Sequence, residues 1–188
     1  EALCGHLVAS GYEGFEFSTH VYSKWFKGDS PTVVARKARK VIESFGLANF
    51  GCTLHLLDSD ARALKFVQKQ KDEMKIQQEL GCGFISYQFD LHKDYYYCAG
   101  EWREDEEYLR WCAARVGELR DAAWSLGMNF YLEVHVDRIT DDPAACCRIL
   151  DMCNCEINGD ISHLLARGFT RGKYVDRILG NMGHTHVR

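Results

Sequence analysis

The stretch NFYLEVHVDRITDDP, residues 129–143, alternates apolar and polar side chains in the way that a β-strand does. Its other face is apolar, and its polar face consists of Tyr131, Glu133, His135 and Asp137. Because successive side chains of a strand point to opposite faces, the apolar face would pack against helices and the polar face would line an interior. Buried charges are costly unless they are paired or bound to a metal, so the stretch predicts a functional site.

Outward from this strand, predicted helices and predicted strands alternate along the whole chain. Alternation of apolar residues predicts strands at 14–17, 50–58, 83–90, 129–136, 155–159 and 184–187. Helical periodicity and capping residues predict helices at 1–10, 29–45, 59–80, 103–126, 143–151 and 172–180. Such alternation produces parallel strands joined by right-handed crossovers. No linker or change in composition divides the chain, so we expect a single domain over residues 1–188.

Two architectures use this alternation, an open doubly wound sheet and a (β/α)8 TIM barrel. The glycine-rich phosphate turn of the dinucleotide fold is absent, because the GCG at 81–83 precedes its strand rather than following it. One strand–helix unit takes roughly 31 residues, and eight such units would make roughly 250 residues, the usual size of a barrel. We therefore predict an α/β, TIM-barrel-like fold that lacks its first strand and the part after the seventh strand.

Charge and hydropathy exclude two classes of partner. The net charge is −4, which is a poor match to nucleic acid because phosphate binding depends on clustered Lys and Arg. No apolar run approaches the ~18 residues that a membrane-spanning helix needs. The sequence begins at Glu1 without a visible signal or transit peptide, so we expect a processed or partial chain.

The nine cysteines are an odd number and are scattered through apolar segments. This usage is typical of reduced thiols in an intracellular, reducing compartment, either the cytoplasm or an organelle interior. The pairs Cys146–Cys147 and Cys153–Cys155 lack the CxxC spacing of zinc sites. We therefore predict that the cysteines are small buried hydrophobic residues rather than metal ligands.

The same division into an apolar and a polar face recurs on the other strands, so polar groups from six strands would converge at one mouth of the barrel. This mouth is where TIM-barrel enzymes carry their active sites. Glu133, Asp160 and His186 would together form a carboxylate-rich set that suits Mn²⁺, Mg²⁺, Co²⁺ or Zn²⁺. Any one of them alone could instead be a satisfied core residue, or an acid paired with Arg138 or Arg188.

Three segments resemble motifs of the sugar phosphate isomerase/epimerase family, which has the xylose-isomerase-like TIM barrel fold. They are YLEVHVDRITDDP (131–143), INGDISH (157–163) and GHTHVR (183–188). The resemblance covers nearly the whole chain and keeps the order of the strands. It implies a divalent-metal-dependent isomerase or epimerase of sugars or sugar phosphates, which acts by proton transfer next to a carbonyl.

The resemblance also implies roles for individual residues. Glu133, Asp160 and His186 fall on metal-ligand positions, and Glu133 also falls on the position of a catalytic acid/base. The candidate substrate contacts are His135, Arg138, His163, Arg188 and, on the polar face of its strand, His55.

The sequence departs from the family pattern at two places. The family's second catalytic glutamate, which is also its fourth metal ligand, lies on an eighth strand that this sequence does not contain. The family's ETHR motif reads EVHV here, so the Arg after the His is lost, although Arg138 remains. The alternative function is therefore a degenerate, non-catalytic barrel that serves as a structural subunit of a larger assembly. An incomplete piece of an intact enzyme, or a homo-oligomer, is also compatible with the sequence.

Overall fold

The computed structural model describes residues 1–18, 29–55, 64–90 and 101–186. Over these ranges the strands are β1 Gly14–Ser18, β2 Ala48–His55, β3 Phe84–Gln88, β4 Asn129–Glu133, β5 Glu156–Asp160 and β6 Met182–His186. The helices are α1 Ala2–Ala9, α2 Pro31–Ser44, α3 Leu64–Leu80, α4 Glu106–Ser125, α5 Pro143–Cys153, α6 Ile161–Ala166 and α7 Lys173–Gly180. The predicted alternation of strands and helices is confirmed.

The strands form one six-stranded sheet in the order β1-β2-β3-β4-β5-β6, and every neighbouring pair is parallel. A doubly wound sheet reverses its strand order, whereas a barrel keeps sequential order, so the TIM-barrel prediction is confirmed. The sheet is strongly curved. This curvature brings Glu16 on β1 to His184 and His186 on β6, with nitrogen–oxygen distances of 2.8 and 3.1 Å. The result is an incomplete barrel whose two edge strands face each other across the interior.

The outer face of the sheet forms the main hydrophobic core with the helices. Its central side chains are almost fully buried: Ile85, Tyr87, Leu132, Val134 and Ile157. On the concave face the rings of Phe84, Tyr131 and His184 pack together, with Phe84 and His184 centroids 4.4 Å apart. Gly51 on β2 makes room for this group, since a Cβ there would meet the Phe84 ring at 2.4 Å. Polar side chains lie beyond these rings, toward the carboxyl ends of the strands.

The structure ends the fourth predicted strand earlier than the sequence pattern does. β4 stops at Glu133 instead of continuing to 136. The hydroxyl of Thr140 donates to the main-chain oxygen of Glu133 at 2.8 Å and accepts from the main-chain nitrogen of His135 at 3.1 Å. Asp137 then adopts a left-handed φ of 59°, which turns the chain away from the sheet. The side-chain hydroxyl thus replaces a neighbouring strand as the hydrogen-bonding partner.

The short helix α6 was not predicted, because it follows β5 without any intervening loop. Asp160 is the last residue of β5 and also the N-cap of α6, where its side chain accepts a hydrogen bond from the main-chain nitrogen of Ser162 at 3.1 Å. Acidic N-caps also begin α4 and α5, at Asp105 and Asp142. Asp160 is therefore held in a fixed orientation at the mouth of the barrel.

The eight cysteines in the described part of the chain are all free and buried, which confirms that they act as small core residues. The ninth, Cys98, lies outside the described residues. Among the described helices, none combines the length and the apolar character needed to cross a membrane.

Candidate metal centre

Three side chains from three successive strands converge on the concave face. They are Glu133 on β4, Asp160 on β5 and His186 on β6, and their potential ligand atoms all lie within 4.8 Å of one another. Both carboxylates belong to residues with no exposed surface. These are the three residues that the sequence analysis selected as metal ligands, and the structure brings them together.

Glu133 is held by neutral donors on the adjacent strand β3. Ser86 donates its hydroxyl to Oε2 at 3.0 Å, and Gln88 donates its amide to Oε1 at 2.9 Å. Asn158 in turn donates to the Ser86 hydroxyl at 2.8 Å, so a chain of hydrogen bonds fixes the carboxylate. Burial pushes the pKa of Glu133 upward, but the nearby His186 imidazole and the hydrogen bond from Gln88 outweigh burial, and the pKa lies below its ordinary value.

The two carboxylate oxygens of Asp160 have different partners. Oδ1 accepts the N-cap hydrogen bond from the main-chain nitrogen of Ser162, and it also accepts from the Ser162 hydroxyl. Oδ2 lies 3.4 Å from Nε2 of His163. Oδ1 is thus held at the N-terminus of α6, and Oδ2 is the oxygen that lies next to the imidazole of His163.

His186 lies between two carboxylates. Its Nδ1 is 3.7 Å from Oε1 of Glu133, and its Nε2 is 3.1 Å from Oε2 of Glu16. The neighbouring carboxylate of Glu133, followed by the hydrogen-bonded carboxylate of Glu16, raises the pKa of His186 to about 10. In the metal-free protein the imidazole is therefore protonated at neutral pH and partly offsets the two negative charges.

His135 and His163 form a pair of imidazoles beside the same carboxylates. Their ring centroids are 3.8 Å apart, and together with Glu133 they form a second set of atoms within metal-binding reach. His135 Nδ1 lies 2.7 Å from the carbonyl oxygen of Val136. A carbonyl only accepts, so Nδ1 carries the proton and Nε2 of the neutral ring is left as an acceptor.

Of the three remaining predicted contacts, only the side chain of Arg138 is described. The guanidinium of Arg138 forms an ion pair with Asp90, with Nε 2.6 Å from Oδ1. The backbone of His55 ends β2, but its side chain is outside what the structure describes. Arg188 lies outside the described residues.

Five participants were not selected from the sequence: Glu16, Ser86, Gln88, Asn158 and His184. Each lies on the polar face of its strand, which is the signal that could have identified it. The sequence pattern shows the face of a residue, but it does not show which residues from different strands reach one another. Of the five, Glu16 makes the longest connection, since it contacts His184 and His186 at a sequence separation of about 170 residues.

The donor set fits a divalent cation. Two fully buried carboxylates lie together, and the described partners of Glu133 are two neutral donors, Ser86 and Gln88, and the nearby imidazole of His186. In addition, Oδ1 of Asn158 is buried and accepts no hydrogen bond within the described ranges, so one more neutral oxygen lies next to them. Oxygen-rich sets with one imidazole suit Mg²⁺, Mn²⁺, Co²⁺ and Zn²⁺.

Residues 5–188 match the sequence family described as the xylose isomerase-like TIM barrel. The chain belongs to this family. The fold agrees with this membership. Its strands are parallel and in sequential order, and carboxylates and imidazoles cluster on its concave face. A search of curated protein sequences gives no significant match.

Several solved structures share this xylose isomerase-like barrel. The probable 3-DHS dehydratase AsbF of Bacillus anthracis superposes with a TM-score of 0.73 at 15% identity, over 98% of this chain and 66% of that one. A sugar phosphate isomerase/epimerase of Parabacteroides distasonis gives 0.71 at 13% identity, over 99% and 68%. The D-allulose 3-epimerase of a Methylomonas species gives 0.69 at 16% identity, over 97% and 64%. Identities this low establish the fold alone, and this chain spans about two thirds of the length of these structures.

Proposed function

We propose that this chain carries the metal-binding part of an isomerase or epimerase that moves a proton next to the carbonyl group of a sugar or sugar phosphate. The observation that supports the proposal most strongly is the convergence of Glu133, Asp160 and His186, with ligand atoms within 4.8 Å and both carboxylates fully buried. Family membership adds support, because solved structures with this fold include epimerases and isomerases.

Glu133, Asp160 and His186 would hold the cation, which is Mn²⁺, Mg²⁺, Co²⁺ or Zn²⁺. When bound there, such an ion would act as a Lewis acid that polarises the carbonyl and hydroxyl oxygens of a sugar. His186 would have to lose its proton first, because only an unprotonated imidazole nitrogen binds a metal.

Glu133 would accept the proton from the carbon next to the carbonyl. Its lowered pKa keeps it a carboxylate at neutral pH, so it is ready to accept. Ser86 and Gln88 use one acceptor position on each oxygen, and a carboxylate oxygen has about two. One position on each oxygen therefore remains for a substrate proton or a metal, while the two donors prevent the side chain from rotating.

His135 and His163 would bind the hydroxyl groups of the substrate. Nδ1 of His135 is engaged with the carbonyl oxygen of Val136, so Nε2 is the ring nitrogen that would contact a substrate hydroxyl. His163 lies beside Asp160 and its ring contacts that of His135 at an interplanar angle of 40°, which restricts the orientation of both rings. Two rings at fixed positions would place the reacting carbon relative to Glu133, and such orientation is a large part of catalysis.

Exchange of solvent deuterium into ketoses tests the proposal. We expect Mn²⁺- or Co²⁺-loaded protein to incorporate deuterium next to the carbonyl of at least one ketose of a panel that includes D-allulose. Glu133→Gln should abolish the incorporation, while the control Glu104→Gln, at a side chain that is 90% exposed, should not change it. Metal-loaded protein that exchanges no deuterium into any ketose or ketose phosphate would contradict the catalytic proposal.

A further inference from the structure

A second cluster of potential metal ligands lies on the other side of the His186 ring. It consists of Glu16 on β1 with His184 and His186 on β6, and their ligand atoms all lie within 4.8 Å of one another. Oε1 of Glu16 is 2.8 Å from Nε2 of His184, and its Oε2 is 3.1 Å from Nε2 of His186. The proposed function makes no use of Glu16 or His184.

Two imidazoles and one carboxylate form a ligand set that zinc-type cations bind in proteins, with further coordination positions left open. Ligands of a tetrahedral zinc ion at about 2.0–2.1 Å are roughly 3.3 Å apart. The observed separations of 2.8 and 3.1 Å are slightly shorter, so an ion requires only a small outward movement of the side chains.

The site is rigid on one side and open on the other. The His184 ring packs against Phe84 and Tyr131, with centroid distances of 4.4 and 5.9 Å, so its orientation is fixed. The side chains of Glu16, His184 and His186 nevertheless keep 27%, 26% and 20% of their surface exposed. An ion can therefore reach them from solvent without opening the core.

We propose that Glu16, His184 and His186 bind a second divalent cation of the zinc or cobalt type, distinct from the ion at Glu133 and Asp160. His186 presents Nε2 to Glu16 and Nδ1 to Glu133, so the two sites use different nitrogens of one ring. Each nitrogen that binds an ion gives up its proton to solvent. The second ion also joins β1 to β6, the two edge strands of the described sheet.

Counting bound Co²⁺ by equilibrium dialysis of suitable variants tests the second site separately from the first. Glu133→Gln removes the carboxylate that both clusters around Glu133 share, and it leaves Glu16 and His184 intact. We expect this variant to retain one Co²⁺ per chain. Adding His184→Phe, which keeps a ring against Phe84 and Tyr131, should abolish the remaining binding. Adding His6→Phe instead, at an exposed histidine of α1, should leave it unchanged.

The outcomes separate this inference from the proposed function. Loss of all Co²⁺ from Glu133→Gln, or equal binding by the two double variants, would overturn the second site. Equal binding by the wild-type protein and Glu133→Gln would instead overturn the first site and leave the second standing. Absorption bands from thiolate-to-cobalt charge transfer should be absent, since the ligands are imidazole and carboxylate.

Chemical modification of histidines in the wild-type protein gives a test that does not depend on whether a variant folds. Diethyl pyrocarbonate acylates unprotonated imidazole nitrogens, and the modified residues are identified by mass spectrometry. We expect saturating Co²⁺ to slow the modification of His184 at least tenfold and to leave the rate at His6 unchanged. An unchanged rate at His184 would overturn the second site.

Discussion

Nδ1 of His186 lies 3.7 Å from Oε1 of Glu133, although the two residues belong to β6 and β4 and the whole of β5 separates them. Asn158 of β5 is the register partner of Glu133 and lies next to this contact. Its amide nitrogen is 3.2 Å from the same Nδ1. The curvature of the sheet brings side chains of β4 and β6 together at the candidate metal centre.

The hydroxyl of Ser86 supports Glu133 without belonging to the ligand set, so Ser86→Ala should weaken metal binding. We expect a loss of about 10–100-fold in affinity, the usual effect of removing a hydrogen bond that orients a ligand. Titration calorimetry with Mn²⁺ measures it, and Ser125→Ala at the exposed end of α4 is the matched control. Equal affinities for the two variants would show that Ser86 does not position Glu133.

The stability of the metal-free protein should depend on pH through His186. Its pKa is raised from 6.5 to about 10, so its contribution to the free energy of unfolding is complete below about pH 6.5 and is lost as the pH rises to about 10. Glu16 and Glu133 have lowered pKa values, and their contributions are lost in the opposite direction, on acidification. We therefore expect the free energy of unfolding to be greatest at pH values where Glu16 and Glu133 are ionised and His186 is still protonated.

Denaturant unfolding in the presence of a chelator measures this dependence, and His186→Phe isolates the alkaline part of it. The variant should lose less stability than the wild-type protein between about pH 7 and about pH 10. Parallel alkaline declines for the two proteins would rule out the assignment of the raised pKa to His186.

Two glycine-to-alanine changes should have effects of opposite sign. A Cβ at Gly51 would lie 2.4 Å from the Phe84 ring on the concave face, whereas a Cβ at Gly117 in α4 would meet nothing within 4 Å. We expect Gly51→Ala to destabilise the protein by about 1–3 kcal/mol through overpacking. Gly117→Ala should stabilise it by up to about 1 kcal/mol through helix propensity. Urea unfolding measures both, and a neutral Gly51→Ala would show that the aromatic group is loosely packed.

The hydroxyl of Thr140 ends β4, so Thr140→Val should destabilise the turn at a nearly unchanged side-chain volume. Thr140 is fully buried and makes two hydrogen bonds to the main chain, at 2.8 and 3.1 Å. Loss of a buried hydrogen bond that leaves main-chain groups unsatisfied costs about 1–3 kcal/mol. Chemical denaturation of this variant and of Thr32→Val on α2 compares the two sites. A difference below about 0.5 kcal/mol would contradict the role of Thr140.

The fold was predictable because its signals are local. Alternation on 129–133 and the N-caps at Asp142 and Ser30 lie within a few residues of the elements that they define. The predictions failed where a side chain replaced the expected backbone partner. Thr140 ended β4 before residue 136, and Asp160 began α6 inside the last residue of β5.

The candidate site was predictable only in part, for a different reason. Glu133, Asp160 and His186 fall on recognisable motifs, so they could be selected before any coordinates were known. The contact from Glu16 to His184 and His186 joins the two edge strands across the interior. Such a contact depends on the curvature of the sheet, which no single strand pattern specifies. The ion pair between Arg138 and Asp90 was likewise not expected, since the sequence suggested a substrate contact.

Diffraction from crystals grown with Zn²⁺, recorded across the zinc absorption edge, tests the central claim most directly. We predict an anomalous peak with roughly 2.0–2.2 Å to carboxylate oxygens of Glu133 and Asp160 and to a nitrogen of His186. If no anomalous peak lies among these three side chains at saturating Zn²⁺, while they keep their present contacts, the proposed metal centre is wrong.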